Sequence, residues 1–218
     1  WGAYHAPKVM ATVNGRYERI FGWDTDAASD EYVSFLRAFL ISLIDECKTL
    51  GIADRLLFHI SDEPNKEQLP QYQLVKSKIA DILADYPIYD ALSDFDFYET
   101  GAVDNPIPAS DHIEPFLHAD IENLWTYYCC GQWKDVSNRF LDMPLARTRI
   151  IGSQFWKYRI AGFLHWGYNF YYTRFSKRNI NPYVITDGDA FAPAGDAYSV
   201  YTAPGLKPYR SLRLVAFY

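Results

Sequence analysis

From Asp30 to Leu50 apolar side chains return at three- and four-residue steps: Tyr32, Phe35, Leu36, Phe39, Leu40, Leu43, Cys47 and Leu50, with Gly51 directly after. That period is the signature of an α-helix with one buried face, and glycine is the residue that most readily ends one. A second stretch, from about Lys66 to Asp85, keeps Leu69, Tyr72, Ile79, Ile82, Leu83 and Tyr86 on one face and predicts another helix. A third is predicted from Pro144 to about Tyr158, where proline occupies a position whose amide has no helical partner. Elsewhere the pattern changes to short apolar runs, Lys8–Val13, Arg55–Ile60, Ile88–Leu92, Asn123–Tyr128, Ala161–Trp166 and Tyr198–Tyr201, which read as strands.

Strands alternating with helices imply an α/β fold, a parallel sheet with crossover helices. No glycine-rich phosphate-binding turn follows any strand, so an open doubly wound nucleotide binder loses its main support. The expected architecture is a (β/α)8 barrel of the TIM type. Six strand candidates in 218 residues fall short of a complete barrel of about 250 residues. The chain is therefore expected to form one catalytic barrel domain over 1–218, its C-terminal six or so β/α units, incomplete on the N-terminal side and in the last helix. No repeat, low-complexity tract or linker divides it.

Composition narrows the partners. A net charge of −6 and a pI near 5.3, with no long basic run, exclude an electrostatic footprint for nucleic acid. The richest apolar stretch, Val33 to Ile44, is interrupted by Arg37 and is too short for a bilayer, so no membrane partner is expected. Three cysteines, two of them adjacent at 129 and 130, make no disulfide framework and point to reduced thiols in a soluble protein, cytoplasmic rather than secreted. Because the sequence opens on Trp1, a signal peptide or an upstream domain of the same protein would lie outside it, and the compartment stays open. The five histidines lack metal-ligand spacing, so neither a metal nor another cofactor is expected.

The candidate chemistry begins where Phe58-His59-Ile60 runs into Ser61-Asp62-Glu63-Pro64. In an alternating α/β chain, carboxylates at a strand's C-terminal end occupy the place where barrel enzymes keep their catalytic groups. Ser61 or Asp62 shortly before Pro64 equally suits the start of a helix, and both readings are open at this point. Neighbouring strand residues face opposite ways, so the two carboxylates share a pocket only where the strand breaks. Pro64 supplies that break and predicts extended backbone at Glu63. Adjacent carboxylates cannot flank a sugar from both sides, but they can divide the labour on one side. Glu63 would protonate the leaving oxygen while Asp62 orients a nucleophile carried by the substrate, for which a 2-acetamido oxygen is the natural group.

Aromatic residues make up 17% of the chain and cluster at predicted strand ends, in Trp125-Thr126-Tyr127-Tyr128 and in His165-Trp166-Gly167-Tyr168-Asn169-Phe170-Tyr171-Tyr172. Core packing explains many such rings, but tyrosine and tryptophan need polar partners when buried, which favours a cleft for several of them. Trp125, Tyr127, Tyr128, Trp166, Tyr168 and Asn169 are the substrate-binding candidates. His59 joins them from the strand leading to the acidic pair, where a satisfied structural histidine is the competing reading. No serine sits in a nucleophile elbow, and Asp187-Gly188-Asp189 reads as a turn.

Three segments resemble glycoside hydrolase family 123 and the uncharacterised bacterial family of glycoside-hydrolase-like barrels grouped with it. They are Phe58 to Pro64; Arg149-Ile150-Ile151-Gly152-Ser153-Gln154-Phe155-Trp156-Lys157-Tyr158 leading to Gly162-Phe163-Leu164-His165-Trp166; and Gly195-Asp196-Ala197-Tyr198 through Ala203-Pro204-Gly205 to Arg210-Ser211-Leu212-Arg213-Leu214. The resemblance covers nearly the whole chain. It implies a β-N-acetylgalactosaminidase-like exo-glycosidase working by substrate-assisted retention on β-linked N-acetylhexosamine glycans or glycosides. By it Glu63 is the acid/base, Asp62 steers the acetamido group, and Tyr127 or Tyr128 together with Trp166 line the sugar pocket. His165 stands where the family carries tyrosine, and the closing loop reads Gly-Asp-Ala in place of Gly-Asp-Gly. Two alternatives remain: a glycosidase for a non-acetamido sugar, with Glu99 or Asp187 available as nucleophile, and a non-catalytic carbohydrate-binding barrel.

Overall fold

The first element of the computed structural model, which describes residues 3–217, is a hairpin whose first strand matches the predicted run Lys8–Val13 and whose turn and second strand the sequence reading lacks. Strands β1 (Val9–Val13) and β2 (Arg16–Phe21) pair antiparallel. Asn14 and Gly15 between them have φ of 51° and 77°. A tight turn with positive φ at both central residues matches strand twist, and Asn-Gly reaches it at little cost.

Helix α1 (Asp30–Thr49) follows, capped by the Ser29 hydroxyl on the amide of Tyr32 and carrying Asp30 and Glu31 in its first turn, where acidic side chains favour the helix dipole. It buries Tyr32, Val33, Leu40, Ile44 and Cys47, while Phe39 faces outward. The second predicted helix is shorter than its period suggests. A 3-10 turn at Lys66–Gln68 leads into α2 (Leu69–Ser77), after which the amides of Ile79, Ile82 and Tyr86 bond three residues back and the chain continues as tight turns. The apolar face persists through the change: Leu40 and Ile44 of α1 pack with Ile79 and Leu83, and Phe58, Ile60 and Ile88 close over them.

Strands β3 (Tyr89–Ala91) and β4 (Asn105–Ile107) pair in parallel, with the short α3 (Asp96–Glu99) between them. These elements belong to the first of two compact units, Trp1–Pro108; the second is Ala109–Tyr218. In the second, α4 (Glu114–His118) precedes β5 (Trp125–Tyr127), which pairs in parallel with β6 (Gly162–Leu164). The third predicted helix is two, α5 (Leu145–Arg149) and α6 (Ile151–Tyr158), broken at Ile150. Strands β7 (Val200–Tyr201) and β8 (Tyr209–Arg210) are antiparallel, and α7 (Leu212–Phe217) follows. Ile180, Ala197 and Tyr198 form a core here, covered by Trp166, Phe170 and Tyr171.

The mixed α/β fold stands, but the (β/α)8 barrel is not found: the described residues form four two-stranded sheets, two parallel and two antiparallel, and no closed barrel. The run 55–60 shows why. Phe58 and Ile88 make a single parallel bridge, through Phe58 N–H to Pro87 O and Tyr89 N–H to Phe58 O. The next amides, of Ile60 and Ser61, then bond a side chain instead of the neighbouring backbone, and the ladder stops. Among the described residues no helix is long and apolar enough to cross a membrane.

Candidate functional site

The acidic pair sits on a turn fixed at both ends by β3. Asp90 Oδ1 accepts the amides of Ile60 at 2.8 Å and Ser61 at 3.0 Å, and Ala91 O accepts the amide of Glu63 at 2.9 Å. Between these anchors Asp62 and Glu63 are exposed, while Ser61 and Pro64 are buried. Glu63 has φ of 47°, where the sequence predicts extended backbone ahead of Pro64. The two fixed ends oblige the chain to turn within three residues, and the left-handed region provides that turn at a cost of about 1–2 kcal/mol for a residue with a side chain. Neither acidic residue caps the following helix. Asn65 occupies that position, and its amide bonds Gln68 Oε1 at 2.9 Å.

Around this turn Asp90 is wholly buried and its Oδ2 accepts the Tyr72 hydroxyl. Burial pushes the Asp90 carboxyl up to about 6, against the pull of Tyr72 and the two amides. Burial, then the Asp90 charge, drive the Tyr72 phenol far above its ordinary range. His59 is largely exposed, with Nδ1 3.9 Å from Asp90 Oδ1.

The second unit holds the other candidates around an ion pair. Arg139 Nη2 lies 3.1 Å from Asp196 Oδ1, with 2% and none of the two side chains exposed. Asp196 Oδ2 accepts the Trp166 indole N–H at 3.1 Å, while Arg139 Nη2 also donates to the carbonyls of Trp166 and Asp196. A second buried guanidinium, Arg213, donates to the carbonyls of Arg139, Gly195 and Tyr198. Burial raises the Asp196 carboxyl, and Arg139, Trp166 and Arg213 oppose that rise. His165 is half-buried, and burial of its imidazole together with the two guanidiniums pushes it down to about 3, so that it is neutral.

Trp166 is half-buried, its ring 5.8 Å from that of Phe170 and 5.9 Å from that of Phe191. Tyr168 is exposed and packs edge-on against His165, and Asn169 bridges antiparallel to Tyr198. Tyr127 and Tyr128 are core residues: the Tyr128 ring lies tilted against Phe163 at 4.8 Å, with the Arg139 guanidinium 5.2 Å from its centre. Trp125 lies across Gly162, where any Cβ would come within 2.3 Å of the indole. Asp90, Tyr72 and Arg139 escaped the sequence reading. A signal existed for Asp90, the one charged position in the apolar run Ile88-Tyr89-Asp90-Ala91-Leu92, since buried charges need partners.

Fold and acidic turn together define a mixed α/β protein presenting adjacent carboxylates just past a single parallel bridge. The chain belongs to glycoside hydrolase family 123: the family model described as "Glycoside hydrolase 123, catalytic domain" matches residues 1–218. A family 123 glycoside hydrolase from Clostridium perfringens, whose structure was analysed for the details of glycolipid glycan hydrolysis, is similar in fold, with a TM-score of 0.65 and 16% identity. The match covers 96% of this chain and 37% of that one, so this chain spans little more than a third of that protein's length. No curated protein matches the chain.

Proposed function

We propose that this chain carries the catalytic carboxylates of a retaining glycosidase that cleaves β-linked 2-acetamido sugars, of the N-acetylgalactosaminidase type, with the substrate's own acetamido oxygen as nucleophile. Glu63 protonates the leaving oxygen and later activates water; Asp62 orients the acetamido group and stabilises the charge that develops on it. The observation that carries this reading is the turn itself. Both carboxylates are exposed, neither caps a helix, and Glu63 is held at positive φ by the bond of its amide to Ala91 of β3. Family membership and the relative's action on glycolipid glycans support it. Trp166, its indole edge fixed by Asp196, offers a ring suited to stacking on a sugar face.

The test compares hydrolysis of an aryl 2-acetamido-2-deoxy-β-galactoside with that of its 2-hydroxy counterpart. Turnover of the acetamido sugar alone, with the β-anomer formed first, is the expected result. Turnover of the 2-hydroxy sugar alone would demand another nucleophile. Glu63→Gln is expected to lose at least about a hundredfold in kcat on poor leaving groups, in line with general-acid catalysis.

A further inference from the structure

One buried residue holds the acidic turn without taking part in the chemistry assigned above. In a continued parallel ladder the amide of Ile60 would bond a backbone carbonyl of β3 and that of Ser61 would point to the opposite side. Here they converge on a single oxygen of the Asp90 side chain, whose other oxygen is anchored by Tyr72 from α2. The next residue of β3, Ala91, receives the amide of Glu63. Asp90 and Ala91 therefore grip the chain on either side of Asp62, and the position of the acidic pair is set by that grip rather than by the sheet. Hydrogen bonds to an ionised acceptor are roughly twice as strong as neutral ones. A carboxylate buried against neutral donors is nonetheless a costly way to hold a loop if holding it is the only gain.

We propose that Asp90 is a positioning residue for Glu63: its carboxylate, steadied by Tyr72, sets the turn that aims this proton donor. The proposal rests on the reading of Glu63 as the proton donor. Its consequence is specific, because a donor that is misaimed rather than removed fails where the leaving group needs a proton and is spared where it does not.

The experiment measures aryl 2-acetamido-β-galactosides of graded leaving-group acidity with the wild-type protein, Asp90→Asn, and Tyr72→Phe, which keeps the core ring and removes only the anchoring hydroxyl. In both variants the kcat on the phenyl glycoside is expected to fall at least tenfold further than on the dinitrophenyl glycoside, with KM changing less than twofold. An equal loss across all leaving groups would mean fewer folded molecules or a general defect, and would overturn the proposal. Amide hydrogen exchange read alongside separates this inference from the proposed function. If the wild-type protein cleaves none of the glycosides, the functional reading falls, and exchange alone then judges the grip. Faster exchange in Asp90→Asn confined to residues 60–63 supports it, and unchanged exchange there overturns it.

Discussion

Asp90 in the first unit and Asp196 in the second are both fully buried, yet they are compensated by opposite means. Asp90 is met by neutral donors, two backbone amides and a phenol, and the exposed His59 imidazole lies 3.9 Å away. Asp196 is met by a buried guanidinium at 3.1 Å and an indole N–H, with Arg213 tying down the surrounding carbonyls. Amides and a phenol hold Asp90 in place but leave it able to change protonation near neutral pH. A guanidinium meets Asp196 with a full charge that opposes the rise its burial imposes. The first arrangement suits a turn whose geometry matters. The second suits a clamp that joins the Trp166 segment to the 195–198 loop.

The largest expected effect removes the clamp's charge. Arg139→Met should destabilise the protein by about 3–5 kcal/mol in urea unfolding, since it strands a buried carboxylate. A loss under about 1 kcal/mol would mean the ion pair is not what holds Asp196. His59→Gln, which removes the exposed partner of Asp90, should leave the unfolding midpoint unmoved.

The next effect sharpens the contrast through pH. Asp90 titrates at about 6 in the folded protein, whereas an unfolded aspartate titrates near 3.9. The folded state therefore keeps the extra proton between about pH 4 and pH 6. The stability this group contributes is complete below that window and is lost as pH rises through it, by about 3 kcal/mol. The groups facing Asp90 are Tyr72 from α2, His59, and the amides of Ile60 and Ser61. Subtracting the stability curve of Asp90→Asn from that of the wild-type protein, both in a His59→Gln background, isolates the term. A flat difference from pH 4 to pH 7 would show that Asp90 stays ionised and that neutral donors compensate it as well as a guanidinium would. Tyr72→Phe, which withdraws one donor from that carboxylate, should cost about 2–3 kcal/mol at pH 7 and raise the pH at which Asp90 titrates.

Helix α1 and the acidic pair were both legible in the residues, because each is a local pattern: a 3.6-residue period with a serine ahead of it, and two carboxylates where an apolar run meets proline. The hairpin was legible too, in Asn14-Gly15, but had no strong apolar alternation in Arg16–Phe21 to draw attention to it. The extent of the strands and the closure of a barrel were not legible. They depend on where backbone amides find acceptors, and at Ile60 and Ser61 the acceptor is a side chain 30 and 29 positions away. The clamp is equally non-local, Arg139 meeting residue 196 across 57 positions. Glu63 shows the same limit at a single residue. Pro64 favours extended backbone on local grounds, and the bond to Ala91 overrides it.

The smallest expected effect compares one glycine from each unit. Gly51 and Gly167 have nearly the same positive φ, 68° and 63°. A Cβ on Gly51 would meet nothing within 4 Å, whereas one on Gly167 would lie 3.0 Å from both Cα and O of Ala197. Alanine at Gly51 thus faces only the left-handed penalty, about 1 kcal/mol. At Gly167 the same penalty is joined by a contact that cannot easily yield, because Ala197 O is already bonded to the amide of Phe170 and Ala197 follows the clamped Asp196. Gly167→Ala should therefore cost about 2 kcal/mol by unfolding, about twice the cost of Gly51→Ala. Equal costs at the two glycines would show that the 195–198 loop gives way under pressure, which a loop held by two buried guanidiniums should not do.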